Sequence, residues 1–100
     1  MLFRSYPREV EEVIYQFESV KEAAVIGVND PRKGDLVVAC VAPNEGADLD
    51  DTALLGFLKD KLAAYKLPRR VMQMEALPRN ATGKILKTKL REIAAEQFGR

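Results

Sequence analysis

The residue best placed to do chemistry in this chain is Lys84, which ends the polar stretch PRNATGK and stands directly before the apolar pair Ile85 and Leu86. A Gly-Lys pair closing a loop invites comparison with a phosphate-gripping loop. Such a loop needs G-x-x-x-x-G-K followed by a hydroxyl, so that backbone amides wrap the phosphates and the hydroxyl holds magnesium. Here Pro78 occupies the place of the first glycine and Ile85 that of the hydroxyl, so the Walker A reading fails. What remains is P-x-x-x-x-G-K, with a stiff entry at Pro78 and a permissive residue at Gly83. Arg79, Asn80 and Thr82 add donors, and the ammonium of Lys84 could reach into a pocket on another surface. Taken alone, the pattern also fits an ordinary surface turn.

Other reactive groups are scarce. Histidine is absent, which removes Ser-His-Asp and Cys-His nucleophile systems, histidine bases and most transition-metal sites. No metal site is expected. The one cysteine, Cys40, lies inside LVVACVA, so no disulfide framework exists and the thiol reads as core packing. Met72 and Met74 read the same way. Charge is divided unevenly. Residues 1–50 carry 5 Lys/Arg against 10 Asp/Glu and residues 51–100 carry 11 against 5, giving formal charges of −5 and +6. That imbalance points either to an anionic partner for the second half or to two oppositely charged, solvated helical faces. Lys66, Arg69 and Arg70 form one basic group around YKLP, and Lys87, Lys89 and Arg91 form another. Solvated surface lysines account for both as well.

The elements that must position these residues follow from periodicity. One hundred residues, 47% hydrophobic and 31% charged, make one small globular domain. No apolar run is long enough to span a membrane and no leader pattern is present, so a cytoplasmic location is expected. PREVEEVIYQF has Val10, Val13, Ile14 and Phe17 at helical spacing, with Pro7 in the first turn and Glu9, Glu11 and Glu12 complementing the helix dipole. AAVIGV (23–28) reads as a strand closed by the turn cluster NDPRKGD. LVVACVA (36–42), apolar on both faces, reads as the central strand. After the loop PNEGADLD, DTALLGFLKDKL is a helix capped by Asp50, with Leu49 and Leu54 as a hydrophobic staple and Leu54, Phe57, Leu58 and Leu62 buried. Gly56 within it suggests close packing. YKLP ends that helix, RRVMQME is a third strand, and TKLREIAAEQF is a final helix with Leu90, Ile93 and Ala94 inward. The order α-β-β-α-β-α predicts an α+β fold, a small three-stranded sheet with helices packed on it.

The succession YPREVEEVIYQF, AAVIGVNDPRKGD, VVACVAPNEGADL, LAAYKLPRRV and LPRNATGKILK resembles the C-terminal domain of the adenylate-forming acyl-CoA synthetases, a superfamily that also holds luciferases and peptide-synthetase adenylation domains. The resemblance covers residues 6 to about 95, and Y-K-x-P and P-x-x-x-x-G-K-[IVL] occur in the family's order and spacing. It implies a lid that closes over a large N-terminal domain binding ATP and a carboxylic acid, with fatty acids the nearest class. The family's motif lysine enters that site while the acyl adenylate forms, then withdraws as the lid rotates so that coenzyme A can attack. Lys84 matches that lysine, with Pro78, Thr82 and Gly83 supporting its loop. Lys66, Arg69 and Arg70 are the candidates to meet coenzyme A or the partner domain.

The same resemblance implies ATP, Mg2+ and coenzyme A for the complete enzyme, none of them bound by this domain alone, and no nucleic-acid partner. Lys84 is expected to be exposed, with Gly83 letting its loop move. The family's R-G-x-x-I loop is replaced by MLFRS at residues 1–5, which read as a truncation or a cloning remnant and leave the thioester-forming face in question. The isolated chain is expected not to catalyse the full reaction. The rival expectation is a free-standing module that binds an anionic cofactor or a protein without turnover.

Overall fold

The computed structural model describes residues 7–30 and 34–98, the side chains of residues 7, 29, 30, 34, 35 and 98 excepted. The R-G-x-x-I replacement at residues 1–5 and the tip of the NDPRKGD turn lie outside them. Three helices and three strands run in the expected order: α1 (Pro7–Ile14), β1 (Val20–Asp30), β2 (Gly34–Pro43), α2 (Asp51–Lys61), β3 (Arg70–Gln73) and α3 (Lys87–Phe98). The sheet order is β1-β2-β3. β2 is central, antiparallel to β1 and parallel to β3, so that Cys40 stands between Ala24 and Met72. A parallel neighbour needs a crossover, and α2 supplies it.

Strand alternation sorts the core into two clusters. Ala23, Val25, Ala39 and Val41 face α1 and α2, where Val10, Ile14, Leu54 and Leu58 cover them. Ala24, Ile26, Val38, Cys40 and Met72 face the other way, under Leu77, Leu90 and Ala94. This is why LVVACVA is apolar throughout. Leu54, Leu58 and Leu90 are fully buried, and each contributes roughly 1.5–3 kcal/mol by leaving water.

Local signals explain most boundaries. Asp50 caps α2 by accepting from the Thr52 N–H at 3.1 Å, and Leu49 and Leu54 join one cluster as a staple does. Gln73 Nε2 donates to Leu49 O at 2.8 Å and to Asp51 Oδ1 at 2.6 Å, tying β3 to the start of α2. α1 stops at Ile14, three residues before the apolar pattern does. There the Gln16 and Phe17 N–H groups switch to carbonyls three residues back, Val13 and Ile14. Phe17 still packs inward, 5.2 Å from the Phe57 ring.

Strand β1 starts earlier than its apolar run, because the Asn44 N–H and side-chain Nδ2 bind Ser19 O and Glu18 O at 2.8 and 2.9 Å. Its outer edge is covered rather than open. The Ala23 N–H donates to Tyr15 Oη at 3.1 Å and the Val25 N–H to Glu11 Oε2 at 2.7 Å. Gly56 corrects an expectation: it is exposed, and a Cβ there would meet nothing within 4 Å. Close packing therefore does not explain it.

Candidate functional site

From Leu77 to Leu86 the chain folds into a braced turn. Leu77 is buried and Ile85 packs beside it in the α3-side cluster, so both ends are anchored in the core. Arg79 and Ile85 form an antiparallel bridge, the Asn80 N–H donates to Lys84 O at 2.9 Å, and the Leu86 N–H donates to Pro78 O at 2.9 Å. Within the turn Asn80 Oδ1 accepts from three donors: the Thr82 N–H at 3.0 Å, Thr82 Oγ1 at 2.7 Å and the Lys84 N–H at 3.0 Å. An asparagine side chain in this position replaces backbone partners that the turn cannot supply.

Gly83 sits at φ +88° with its N–H on Asn80 O at 3.0 Å. Its role is thus to adopt a left-handed conformation that L side chains reach only with strain. The backbone on both sides of Gly83 is hydrogen-bonded within the turn, through the Asn80, Gly83 and Lys84 N–H groups. Arg79 through Lys84 are all exposed. Among the described residues no carboxylate pairs with Lys84, so the turn fixes its backbone and leaves its ammonium to solvent.

One residue missed by sequence reasoning holds this turn to the sheet. Glu22, on β1, accepts the Leu77 N–H on Oε1 at 3.0 Å. Its Oε2 takes the Nε and Nη2 of Arg79 at 3.1 and 2.7 Å. Arg79 Nη1 in turn donates to Gly83 O. The Leu77 N–H, and after it the Arg79 guanidinium, hold the Glu22 carboxyl below its usual range, with burial acting in the opposite direction. In the fold Glu22 lies beside Ala24, Ile26 and Val28 at the α3-side core, where a carboxylate needs a donor.

The second basic group is built differently. Lys66, in a short 3-10 turn (Ala64–Lys66), places its ammonium 2.7 Å from Glu9 Oε1, and its side chain is only 18% exposed. Arg69 and Arg70 are exposed; the Arg69 N–H donates to Val37 O at 2.8 Å, and Arg70 Nη1 to Arg69 O at 3.3 Å. Leu67 packs on the α1/α2 face of the sheet, whereas Leu77 and Ile85 pack on the α3 face. Pro78, Thr82, Gly83 and Lys84 are thus brought together, while Lys66, Arg69 and Arg70 belong to a separate segment whose Leu67 and Val71 pack on the α1/α2 face and whose Arg70 shares the side of β3 that carries Met72.

The charge imbalance between the halves is partly used inside the fold. Lys66–Glu9, Arg79–Glu22 and Lys87–Glu11, each 2.7 Å, all join an acid of the first half to a base of the second. Cys40 is fully buried, and burial pushes its thiol up to about 12, so it stays protonated and unreactive. Among the described residues no three His, Cys, Asp or Glu side chains converge to hold a metal ion. No described helix is long and apolar enough to cross a membrane. An open depression of about 470 Å³ bordered by Lys21, Asn44, Glu45 and Glu75 includes none of the candidate residues.

Comparison with known proteins identifies the family of the fold. Residues 9–84 match the AMP-binding enzyme C-terminal domain, a match that ends on Lys84. A feruloyl-CoA synthase from Amycolatopsis is 44% identical over 86 residues, covering 86% of this chain and 18% of that protein. A long-chain-fatty-acid–CoA ligase of Bacillus subtilis is 40% identical over 94 residues, covering 94% of this chain and 17% of that one. Among solved structures, ATP-bound MatB from Rhodopseudomonas palustris superposes with a TM-score of 0.87 at 38% identity, covering 93% of this chain and 18% of that chain. The chain therefore spans less than a fifth of the length of these relatives. With three-quarters of its residues inside the family model and its α-β-β-α-β-α order intact, the chain belongs to the AMP-binding enzyme C-terminal domain family.

Proposed function

We propose that this chain is a single lid domain of an AMP-forming acyl-CoA ligase and that Lys84 is the lysine it contributes to adenylation. In that reaction a carboxylate oxygen attacks the α-phosphorus of ATP, a new P–O bond forms, and the bond to pyrophosphate breaks. Negative charge accumulates on the transferring phosphoryl group. A cation fixed there before the reaction stabilises that charge without reorganisation, and in many enzymes such preorganised charge supplies most of the rate enhancement. The observation that carries the reading is the pairing of a hydrogen-bonded backbone with an unengaged ammonium at Lys84.

The partner is an N-terminal domain of the same enzyme, holding ATP and the acid. Among the described residues no group of His, Cys, Asp or Glu side chains is placed to hold magnesium. The feruloyl-CoA synthase and the long-chain-fatty-acid–CoA ligase named above carry different acyl groups in their names, yet stand at similar identity to this chain. Acid choice therefore belongs to the partner domain, with fatty acids as our assignment. For thioester formation the lid rotates, Lys84 leaves, and the coenzyme A thiol attacks the acyl carbonyl to release AMP. Arg69 and Arg70, exposed beside the anchored Lys66, are our candidates for the coenzyme A phosphates or the partner surface.

The test is Lys84→Ala in the full-length ligase. Carboxylate-dependent ATP–pyrophosphate exchange is expected to fall by about 100- to 1,000-fold, while thioester formation from a supplied acyl adenylate persists. Equal loss in both half-reactions would remove the assignment.

A further inference from the structure

The Lys84 loop has no helix or strand of its own to stiffen it, yet it must present one ammonium to a site on another domain. Beyond the apolar anchors Leu77 and Ile85, its attachment to the sheet runs through two charged side chains. Glu22 divides its carboxylate, one oxygen on the Leu77 N–H and the other on the Arg79 guanidinium. Arg79 spans onward to the carbonyl of Gly83, the residue before Lys84. Glu22 is 17% exposed and Arg79 40%, so the pair lies at the rim of the α3-side core rather than free in solvent. An exposed single-point pair is worth little. This one is a chain of contacts that starts on a strand of the sheet and ends one peptide from the reactive residue.

We propose that Glu22 and Arg79 are positioning residues for adenylation: together they clamp the 77–86 turn to β1 and set where the Lys84 ammonium is delivered. The proposal rests on Lys84 being the adenylation lysine. The role asks for no contact between either clamp residue and substrate. Their effect passes through the Gly83–Lys84 peptide, and a displacement of about 1 Å at a reacting group can cost about 100-fold in rate. The carboxyl of Glu22, held below its usual range by these same donors, keeps the clamp charged at neutral pH.

The experiment measures both half-reactions in the full-length ligase for Arg79→Met, Arg79→Lys, Glu22→Gln, Lys84→Ala and the double variant Arg79→Met/Lys84→Ala. Arg79→Met and Glu22→Gln are expected to lower the kcat of pyrophosphate exchange by about 10- to 100-fold with KM for ATP little changed. Thioester formation from supplied acyl adenylate is expected to be spared, which a general loss of folding would not do. Arg79→Lys keeps the charge but cannot bridge Glu22 and Gly83 O together, so it should fall between wild type and Arg79→Met.

The double variant should be no slower in exchange than Lys84→Ala alone, because a residue that acts only through Lys84 has nothing left to act on. Additive loss in the double variant, or equal loss in both half-reactions, overturns the clamp. If Lys84→Ala is damaging and the clamp variants are silent, the clamp falls and the lysine assignment stands. If Lys84→Ala is itself silent, both fall.

Discussion

The Lys84 loop and the Lys66 segment are both basic and both lie close to a proline, yet the fold grips them by opposite ends. In the Lys84 loop the hydrogen bonds go to the backbone, to the Asn80 and Lys84 peptides and the Gly83 carbonyl, and the ammonium is left over. In the Lys66 segment the ammonium itself is held, 2.7 Å from Glu9. A side chain whose charged end is already satisfied by the fold serves the fold first. One whose peptide is fixed and whose charge is not is available to a partner. The difference separates two lysines that composition and net charge do not tell apart.

The sharpest way to break this contrast is Lys84→Ala, with the loss in pyrophosphate exchange given above and no change in the thermal midpoint of the domain. A fall in midpoint would mean that Lys84, like Lys66, is held by its charge. Next comes acid. Because the folded-state pKa of Glu22 is lowered from about 4.5, the stability it contributes is fully present above that value and is lost as pH falls through the lower folded value. Thermal midpoints measured from neutral pH downward should therefore converge for wild type and Glu22→Gln as the carboxyl protonates. A gap that stays constant would place the effect of Glu22 elsewhere than in its charge.

The two glycines give a smaller and opposed pair of effects. Gly83→Ala puts a Cβ on a residue at φ +88° and should cost about 1–2 kcal/mol of loop or domain stability, with a matching fall in exchange activity. Gly56→Ala sits in an exposed helical position with open space around the new methyl, and should stabilise by about 0.5–1 kcal/mol. Chemical denaturation of both variants measures the pair. Stabilisation by both would mean that the Gly83 backbone relaxes freely, and destabilisation by both that the new methyl at Gly56 is not tolerated.

Which features were legible in the sequence follows from how far apart their causes lie along the chain. The cap at Asp50, the staple of Leu49 and Leu54 and the helical stripe of Leu90, Ile93 and Ala94 are set by residues within a few positions of one another, and each was readable. The central placement of LVVACVA was readable because a strand covered on both faces must be apolar on both. Glu22 was not, since its partners Leu77 and Arg79 lie 55 and 57 residues away. Nothing in VKEAAVIG distinguishes a clamp from a solvent-facing carboxylate. The edge contacts of Glu11 and Tyr15 escaped for the same reason: a helix-start acid and a half-exposed tyrosine have local explanations that suffice. Gly83 has the positive φ that its sequence context allows, and freedom to reach that φ looks identical in sequence to freedom to move. The family order of segments located Lys84; only the three-dimensional contacts say what holds it in place.

The smallest expected effect bears on the other side of the comparison. Lys66→Met keeps much of the aliphatic stem and removes the charge facing Glu9, whose side chain is 51% exposed. A pair with one partner in solvent contributes roughly 0.2–1 kcal/mol, so the thermal midpoint should drop slightly at low ionic strength. The gap should close in molar salt, where the screening length falls to about 3 Å. If Lys66 serves the fold in this way, the same variant leaves KM for coenzyme A unchanged in the full-length ligase, while Arg69→Met and Arg70→Met raise it. A rise in KM for Lys66→Met as large as theirs would show that Lys66 leaves Glu9 when coenzyme A arrives. The two segments would then differ in when each lysine is freed rather than in whether it is.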